Sequence, residues 1–393
     1  MPKVSIRDLD LQGKRVFIRA DLNVPLTESG EITDDTRIRA VFPTLEMARQ
    51  KGARVVVASH LGRPKGKPNP RMSLRIVAKR LSQILGCEVG FATDCVGDVA
   101  AQAAAALKGG EVLLLENLRF HPEEEKNDRA FAAQLAALGD VYVNDACGSA
   151  HRAHASTEAI ARLIPVAAGG LLMEKELEYL GKATRNPAKP YVAIVGGAKV
   201  SDKIDLLQNL IRLTDAVLVG GAMAYTFLKS RGGKVGASRV EEDKLEQARE
   251  ILAHAEKLGV VVKLPSDHVI SDRIDATGKA QLASTIPDGM MGVDIGPETR
   301  RDFADAIGKA RTIVWNGPMG VFEVDQFAEG TLAVARAVAA SSAVSIVGGG
   351  DSVAAIAKAG VGSKISHIST GGGASLEFLS GLKLPGVEAL PEK

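Results

Sequence analysis

Gly196-Gly197-Ala198-Lys199-Val200-Ser201-Asp202-Lys203 stands between two apolar segments. The run before it, Tyr191–Val195, reads as a buried strand. In the segment after it, Ile204–Leu213, the residues Ile204, Leu207, Leu210 and Ile211 recur at helical spacing. The stretch therefore predicts a strand, a tight glycine turn and a helix that opens with two lysines. Such a turn aims free backbone N–H groups and the positive end of a helix at whatever sits above the strand, which suits phosphate. Lys199 and Lys203, four apart, strengthen that reading, because two cations beside a positive dipole end repel unless an anion joins them. The chain has no Gly-x-x-x-x-Gly-Lys-Ser/Thr and no Gly-x-Gly-x-x-Gly opening a helix. A Rossmann-type dehydrogenase is disfavoured on the second count.

Working outward, the same grammar recurs. Val16–Ile18, Arg54–Ser59, Val112–Leu115 and Val141–Val143 are short apolar runs, and helical patterns (Ser73–Leu85, Phe131–Leu138) alternate with them. The repeat predicts an α/β chain with a parallel sheet covered on both faces. Ligands of such sheets sit outside the carboxyl ends of the strands. Arg19, His60, Arg63, Arg119, His151 and Arg152 all fall just after a strand, so four strand ends deliver Arg or His to one rim. That convergence points to a small polyanion, with Asp21 and Asn23 placed to receive hydroxyl hydrogens. Asp34 and Asp35 read as helix caps. Arg37 lies in that helix's first turn, where the dipole disfavours a cation, so it needs a carboxylate neighbour or an anionic ligand. His151-x-x-His154 lacks a third ligand at metal spacing, and its basic neighbours disfavour a cation.

The second half repeats the pattern with a different rim. Leu171–Thr184 reads as an amphipathic helix, and Asn186-Pro-Ala-Lys-Pro190 breaks the chain, which marks a domain boundary. Strands at Ala216–Val219, Thr312–Trp315, Val344–Val347 and Ser366–Ser369 end in glycine-rich turns with few cations. Asp267–Asp272 and Lys279–Leu282 are less regular and read as a β excursion. Backbone can approach a ligand closely on such an edge, as the base and ribose of a nucleotide require. Asp351, among glycines at a helix start, is a candidate carboxylate for phosphate-bound Mg²⁺. Glu323 is a candidate acceptor for ribose hydroxyls, and Trp315 reads as core.

The 393 residues allow two domains, and 46% hydrophobic residues allow sizeable cores. With 49 Lys and Arg against 47 Asp and Glu, the net charge of +2 gives no general case for nucleic acid or a membrane surface. Arginine outnumbers lysine in residues 1–170, and lysine outnumbers arginine in 171–393. Arg favours bidentate capture of carboxylate and phosphate, and Lys acts as a point charge. Cys87, Cys95 and Cys147 have no metal-ligand spacing, so reduced cytosolic thiols are expected. Met1–Asp10 carries charges and no apolar core of a signal peptide, and no apolar run reaches the roughly 18 residues of a membrane span.

Taken together, the motifs resemble the phosphoglycerate kinase family along the whole chain. They are Arg19-x-Asp21-x-Asn23-Val-Pro, Ser59-His-Leu-Gly-Arg-Pro64, Glu116-Asn-x-Arg119-Phe, Ala150-His-Arg-Ala-His-Ala-Ser156 and Gly196-Gly-Ala-Lys-Val-Ser-Asp-Lys203, then Trp315-Asn-Gly-Pro-x-Gly-Val-Phe-Glu323, Gly348-Gly-Gly-Asp351 and Ser369-Thr-Gly-Gly-Gly-Ala-Ser375. The resemblance implies two Rossmann-like three-layer αβα domains with parallel sheets facing across a cleft. It implies a 3-phosphoglycerate-binding domain over 1–170, an interdomain helix and hinge over 171–190 and a nucleotide-binding domain over 191–378. The tail, 379–393, would return towards the N-terminal domain, and within it Leu384–Pro391 reads as too Pro-rich for a helix. The implied reaction is reversible phosphoryl transfer between 1,3-bisphosphoglycerate and ADP, with Mg²⁺ accompanying ATP or ADP, in a cytoplasmic monomer.

Carried over by position, Asp21, Asn23, Arg37, His60, Leu61, Gly62, Arg63, Arg119 and Arg152 resemble the phosphoglycerate site. Lys203, Gly292, Glu323, Gly349, Gly350, Asp351 and Ser352 resemble nucleotide contacts, Asp351 being the metal-linked carboxylate. Arg37, Lys199 and Lys203 resemble the stabilisers of the transferring group. Asn144-Asp-Ala-Cys147-Gly-Ser149 departs from the Phe and Thr more usual in the family at its fourth and sixth positions. That predicts altered loop packing with Arg152 kept in place, and an oxidisable Cys147. A non-catalytic nucleotide-binding protein is disfavoured, because both lysines and the basic rim are retained.

Overall fold

The computed structural model describes residues 3–393; Met1 and Pro2, where the charged N-terminal stretch begins, lie outside the described residues. The chain divides into two units, Met1–Glu178 with Lys383–Lys393, and Tyr179–Leu382.

The first unit is built on six parallel strands: β1 (Arg15–Ala20), β2 (Arg54–Ala58), β3 (Val89–Ala92), β4 (Val112–Leu115), β5 (Val141–Asp145) and β6 (Ala167–Gly169), in spatial order β3-β4-β2-β1-β5-β6. Its helices are α1 (Thr36–Gln50), α2 (Arg75–Leu85), α3 (Gly97–Ala106), α4 (Pro122–Glu125), α5 (Arg129–Ala136) and α6 (Ile160–Leu163). Successive strand residues face opposite sides. Ile18, Val55, Val57 and Val143 pack on one face with Ile38 and Leu45 of α1 and Val77 and Leu81 of α2. Phe17, Val56, Leu113 and Tyr142 pack on the other with Ala100 of α3, Phe131 and Leu135 of α5 and Ile160 of α6. Both faces are dry, which is why these strands read as unbroken apolar runs.

In the chain α7 (Leu171–Thr184) follows β6, and the boundary between the units falls within it, after Glu178. The second unit has β7 (Tyr191–Val195), β8 (Ala216–Val219), β9 (Val261–Lys263), β10 (His268–Ser271), β11 (Gln281–Ala283), β12 (Met291–Ile295), β13 (Thr312–Asn316), β14 (Val344–Gly348) and β15 (His367–Ile368). Six of them form a second parallel sheet, β15-β14-β13-β7-β8-β9, and β11-β10-β12 form a small antiparallel one, the expected excursion. The helices are α8 (Ile204–Ile211), α9 (Met223–Ser230), α10 (Leu245–Lys257), α11 (Pro297–Lys309), α12 (Glu329–Ala340), α13 (Gly350–Lys358) and α14 (Gly373–Leu379). Val195, Val217 and Val314 meet α8, α9 and α10 on one face. Ile194, Leu218 and Trp315 meet α11, α12 and α13 on the other, with Trp315 fully buried.

Two local expectations fail. Residues 196–203 are not a tight turn running into a helix. Helix α8 starts at Ile204, Lys203 occupies its cap position, and Lys199 stands in the preceding loop. Buried Val200 pins that loop, and the Ser201 N–H and hydroxyl donate to Glu241 at 3.0 and 2.6 Å. The tail does contain a helical turn, Pro385–Glu388, because proline is tolerated at the first position of a helix. Asn144 at the end of β5 donates to Gly386 O at 3.1 Å, and Lys3 pairs with Glu392, so the tail belongs to the first unit.

The start of α7 is capped by a buried carboxylate. The Met173 N–H donates to Asp145 Oδ1 at 3.0 Å, and the Thr44 hydroxyl and Leu172 N–H also reach it. Burial outweighs these donors and pushes Asp145 up to about 7. An unfolded aspartate titrates near ~3.9, so the folded state holds an extra proton between those values and loses stability as pH rises through about 7. Asp145→Asn, which cannot ionise, is expected to gain on wild type by on the order of 2 kcal/mol between about pH 5 and pH 8. Urea unfolding at the two pH values measures this, and a pH-independent difference would contradict it.

Candidate active site

The carboxyl ends of β1, β2, β4 and β5 carry a cluster of guanidinium and imidazole groups in the first unit. Asp21 and Asn23 follow β1. The Arg37 guanidinium donates from Nη1 to Asp21 Oδ2 at 2.6 Å, so the cation in the first turn of α1 has the carboxylate neighbour its position requires. Asn23 Oδ1 accepts the Gly62 N–H at 2.8 Å, and Gly62 takes a φ of +64° there. A Cβ at Gly62 would lie 2.9 Å from Met72 Sδ, so both the turn and the close packing call for glycine.

The strand-β4 turn is organised by Asn117, which is fully buried. Its amide donates to Leu61 O and Met72 O at 2.7 and 2.9 Å, and its Oδ1 accepts the Arg119 N–H at 3.0 Å. Arg119, 7% exposed, then donates from Nη1 to Gly62 O at 3.0 Å. Its Nε is buried without a hydrogen-bond acceptor among the described residues; Glu125 lies 3.5 Å away, outside bonding geometry. Burial pulls the Arg119 guanidinium below its usual value, with the charges of Arg19 and Arg152 adding to the effect and Glu125 opposing it. A buried donor left over in a nest of like charges is what an anion would complete.

Arg19 is not a rim residue. It is fully buried, on the same face of β1 as Phe17. Its Nε donates to Ser156 Oγ at 2.8 Å, Nη1 donates to Ala20 O, and Nη2 lies 3.1 Å from His60 Nδ1. A guanidinium can only donate, so His60 Nδ1 carries the lone pair and its proton sits on Nε2. Burial, then Arg19, Arg119 and Arg37, hold His60 well below the usual imidazole range. His60 is therefore a neutral ring with one fixed donor.

Behind these groups lies Glu124, which the run Glu123-Glu124-Glu125 hides. It is fully buried and accepts the Ser156 N–H at 3.0 Å and the Ser156 hydroxyl. Burial pushes its carboxyl up, and Arg19 works against that most strongly. His154, 5% exposed, is pushed down to about 3 by burial and by Arg19 and Arg119, so it stays neutral.

Arg152 is exposed and donates from Nε to His151 Nε2 at 3.2 Å. Arg63 is exposed and makes no hydrogen bond or ion pair among the described residues. The structure thus links Asp21, Asn23, Arg37, Leu61, Gly62 and Arg119 into one hydrogen-bonded set, while the His60 ring is held by Arg19 and coupled to Arg37 and Arg119 by charge. Arg152 joins them electrostatically, and Arg63 stands apart. Cys147 is buried, and burial, with the carboxylates of Glu176, Asp145 and Asp21, pushes its thiol well up. It is a shielded, protonated thiol and not the oxidisable one expected.

In the second unit Lys203 Nζ donates to Asn316 Oδ1 at the end of β13, and the Asn316 amide donates to Gly348 O at 2.9 Å at the end of β14. Burial lowers the Lys203 ammonium, while Asp202 and Asp351 oppose that. Asp351 is exposed in the first turn of α13. Gly349, with φ +90°, caps that helix, and a Cβ there would come within 2.8 Å of Asn316 Nδ2. Gly350 opens α13 with nothing within 4 Å of a Cβ among the described residues, which leaves room for a ligand at the helix start. Ser352 points inward: its hydroxyl accepts the Gly317 N–H at 2.6 Å, tying the β13 loop to α13.

Gly292 lies in β12 with its N–H on Ser238 Oγ at 2.9 Å. A Cβ there would collide with the Tyr225 hydroxyl at 2.0 Å, which gives that glycine a packing reason of its own. Glu323 is exposed, and Lys199 is exposed with Glu241 as its electrostatic neighbour. The donor set near α13 is one exposed carboxylate beside an open helix start. Hard oxygen with room for water fits a phosphate-bound Mg²⁺.

Comparison with known proteins bears on both clusters. The family model described as phosphoglycerate kinase matches residues 6–382. The phosphoglycerate kinase of Koribacter versatilis is 61% identical over 403 residues, covering 100% of both chains. That of Solibacter usitatus is 60% identical over 395 residues, covering 99% of this chain and 100% of its own. The solved structure of phosphoglycerate kinase from Coxiella burnetii superposes with a TM-score of 0.91 at 42% identity, covering 99% of this chain and 98% of that one.

Proposed function

The chain belongs to the phosphoglycerate kinase family, and on that premise we propose which of its residues carry the reaction. The reaction is reversible phosphoryl transfer between 1,3-bisphosphoglycerate and ADP, giving 3-phosphoglycerate and ATP, with a carboxyl group as the phosphoryl acceptor in the reverse direction. In our reading Asp21, Asn23, Arg37, His60–Arg63, Arg119 and Arg152 bind the phosphoglycerate. Lys203, Gly292, Glu323 and Gly349–Ser352 bind the nucleotide. The observation that carries this is the buried, acceptor-less Arg119 Nε amid Arg37, Arg152 and a neutral His60.

The acceptor carboxylate, with a pKa of about 3.5–4, is already ionised at neutral pH, so no general base is needed. Its oxygen attacks the terminal phosphorus of ATP in line, the bond to the ADP oxygen breaks, and ADP leaves with that electron pair. The protein's work is positioning and neutralising charge on the equatorial oxygens. Arg37 from the first unit, with Lys203 and Lys199 from the second, take that part. Asp351 would hold Mg²⁺, which when bound with the nucleotide screens the phosphate charges. The acceptor and nucleotide must reach each other, so residues 171–190 serve as the hinge of a closing motion that also excludes water. The chain acts as a monomer in the cytoplasm in this reading.

A coupled assay with ATP, 3-phosphoglycerate and Mg²⁺ tests the activity, and absence of turnover would overturn it. Arg119→Ala is expected to raise KM for 3-phosphoglycerate by on the order of 10-fold or more with a small change in kcat, because its donors bind the ground state and transition state alike. A pure kcat defect would move Arg119 to the transferring phosphate.

A further inference from the structure

Outside both clusters, the exits of β3 and β4 bring three chemically distinct side chains together. Asp94 and Cys95 follow β3, and His121 follows the turn Leu118–Phe120 that carries Arg119. The carboxylate oxygen of Asp94, the Sγ of Cys95 and a ring nitrogen of His121 all lie within 4.8 Å of one another. Asp94 Oδ1 is 2.7 Å from His121 Nε2 and also accepts the Cys95 N–H at 2.6 Å. The His121 ring packs on Phe131 with centroids 5.2 Å apart, which restricts its orientation. Cys95 is fully buried, whereas the Asp94 and His121 side chains are 46% and 29% exposed. Asp94 and His121 also line a cavity of about 1230 Å³, so solvent reaches the open side of the trio.

We propose that Asp94, Cys95 and His121 form a site for a borderline-soft divalent cation of the zinc class, with solvent completing a tetrahedral shell. One sulfur, one nitrogen and one oxygen suit zinc and disfavour Mg²⁺ or Ca²⁺, which take oxygen sets. Bonds of about 2.0–2.3 Å place tetrahedral ligand atoms roughly 3.3–3.6 Å apart. The trio therefore opens slightly between Asp94 and His121 and closes towards Cys95. On binding, the Cys95 S–H bond breaks, a metal–sulfur bond forms, and the proton leaves to solvent. His121 binds through Nε2 with its proton on Nδ1. The metal ties the β3 exit to the turn that places Arg119, so occupancy bears on the geometry of the phosphoglycerate site.

The test is titration of the untagged full-length chain, under reducing conditions, with Co²⁺ as a spectroscopic stand-in and then with Zn²⁺. The expected result is one equivalent of Co²⁺ with a thiolate-to-cobalt charge-transfer band, displaced by Zn²⁺, and release of protons on binding. Cys95→Ala removes the band. His121→Gln and Asp94→Asn, both at partly exposed positions that leave the core intact, weaken binding at least 10-fold, and Cys87→Ser leaves it unchanged. A wild-type chain that shows no band, or a band that survives Cys95→Ala or is unaffected by His121→Gln, overturns the site. Those results would leave the trio an Asp–His hydrogen bond beside a buried thiol.

Discussion

Lys203→Ala is expected to lower kcat by on the order of 10²-fold or more, about 3 kcal/mol of transition-state stabilisation, with a smaller change in KM for the nucleotide. The reason is where the ammonium sits. Its Nζ is anchored on Asn316 Oδ1, which is itself fixed through Gly348 O, so the charge is held at the junction of β13 and β14 and not on a free arm. Asp351 lies within electrostatic reach and partly opposes the effect of burial on it. A half-buried cation held this way costs little reorganisation when charge develops on a phosphoryl group. Lys203→Arg keeps the charge but not the compact point geometry, so it should recover only part of the rate. Steady-state kinetics with both substrates varied decide the matter: near-wild-type kcat in Lys203→Ala would remove Lys203 from the chemistry and leave it a scaffold for Asn316.

The contrast with Lys199 shows what a sequence can and cannot convey. Spacing of four suggested two lysines on one helical face. The loop instead runs on to Lys203 because Val200 has a buried site to fill and Ser201 has a carboxylate, Glu241, forty residues away. Spacing carries no information about such a partner. The parallel sheets were legible because strands dry on both faces must be apolar throughout, and helices alternate between them. The β10–β12 excursion was only partly legible, since His268–Ser271 and Gln281–Ala283 are short and mixed in polarity. Arg19 was readable in principle: its period-two partner on β1 is Phe17, which lies in the core, so Arg19 faces inward too. Glu124 left no such signal. Three consecutive glutamates look like a solvated run, and only the fold sends the middle one against Ser156.

Arg37→Ala is expected to lower kcat by on the order of 10²-fold or more while shifting KM for 3-phosphoglycerate far less, the opposite split from Arg119→Ala. The two arginines differ in how they are held. Arg119 is locked by the backbone on either side of its turn and offers a buried donor to a ligand that is present throughout. Arg37 is tethered by one carboxylate, Asp21, at 2.6 Å, with its side chain 37% exposed, so its remaining donors are free to meet charge that appears during transfer. Its location in the first turn of α1 adds to this. The helix dipole pushes against the cation there, and an arriving negative charge relieves that strain. Asp21→Asn should weaken the tether without removing the cation, giving a milder kcat loss in the same direction. Arg37→Lys should sit between wild type and alanine, since a point charge replaces the planar fork. A rise in KM with kcat preserved in Arg37→Ala would confine Arg37 to ground-state binding of the phosphoglycerate, and the stabilising charge would then have to come from the lysines of the second unit.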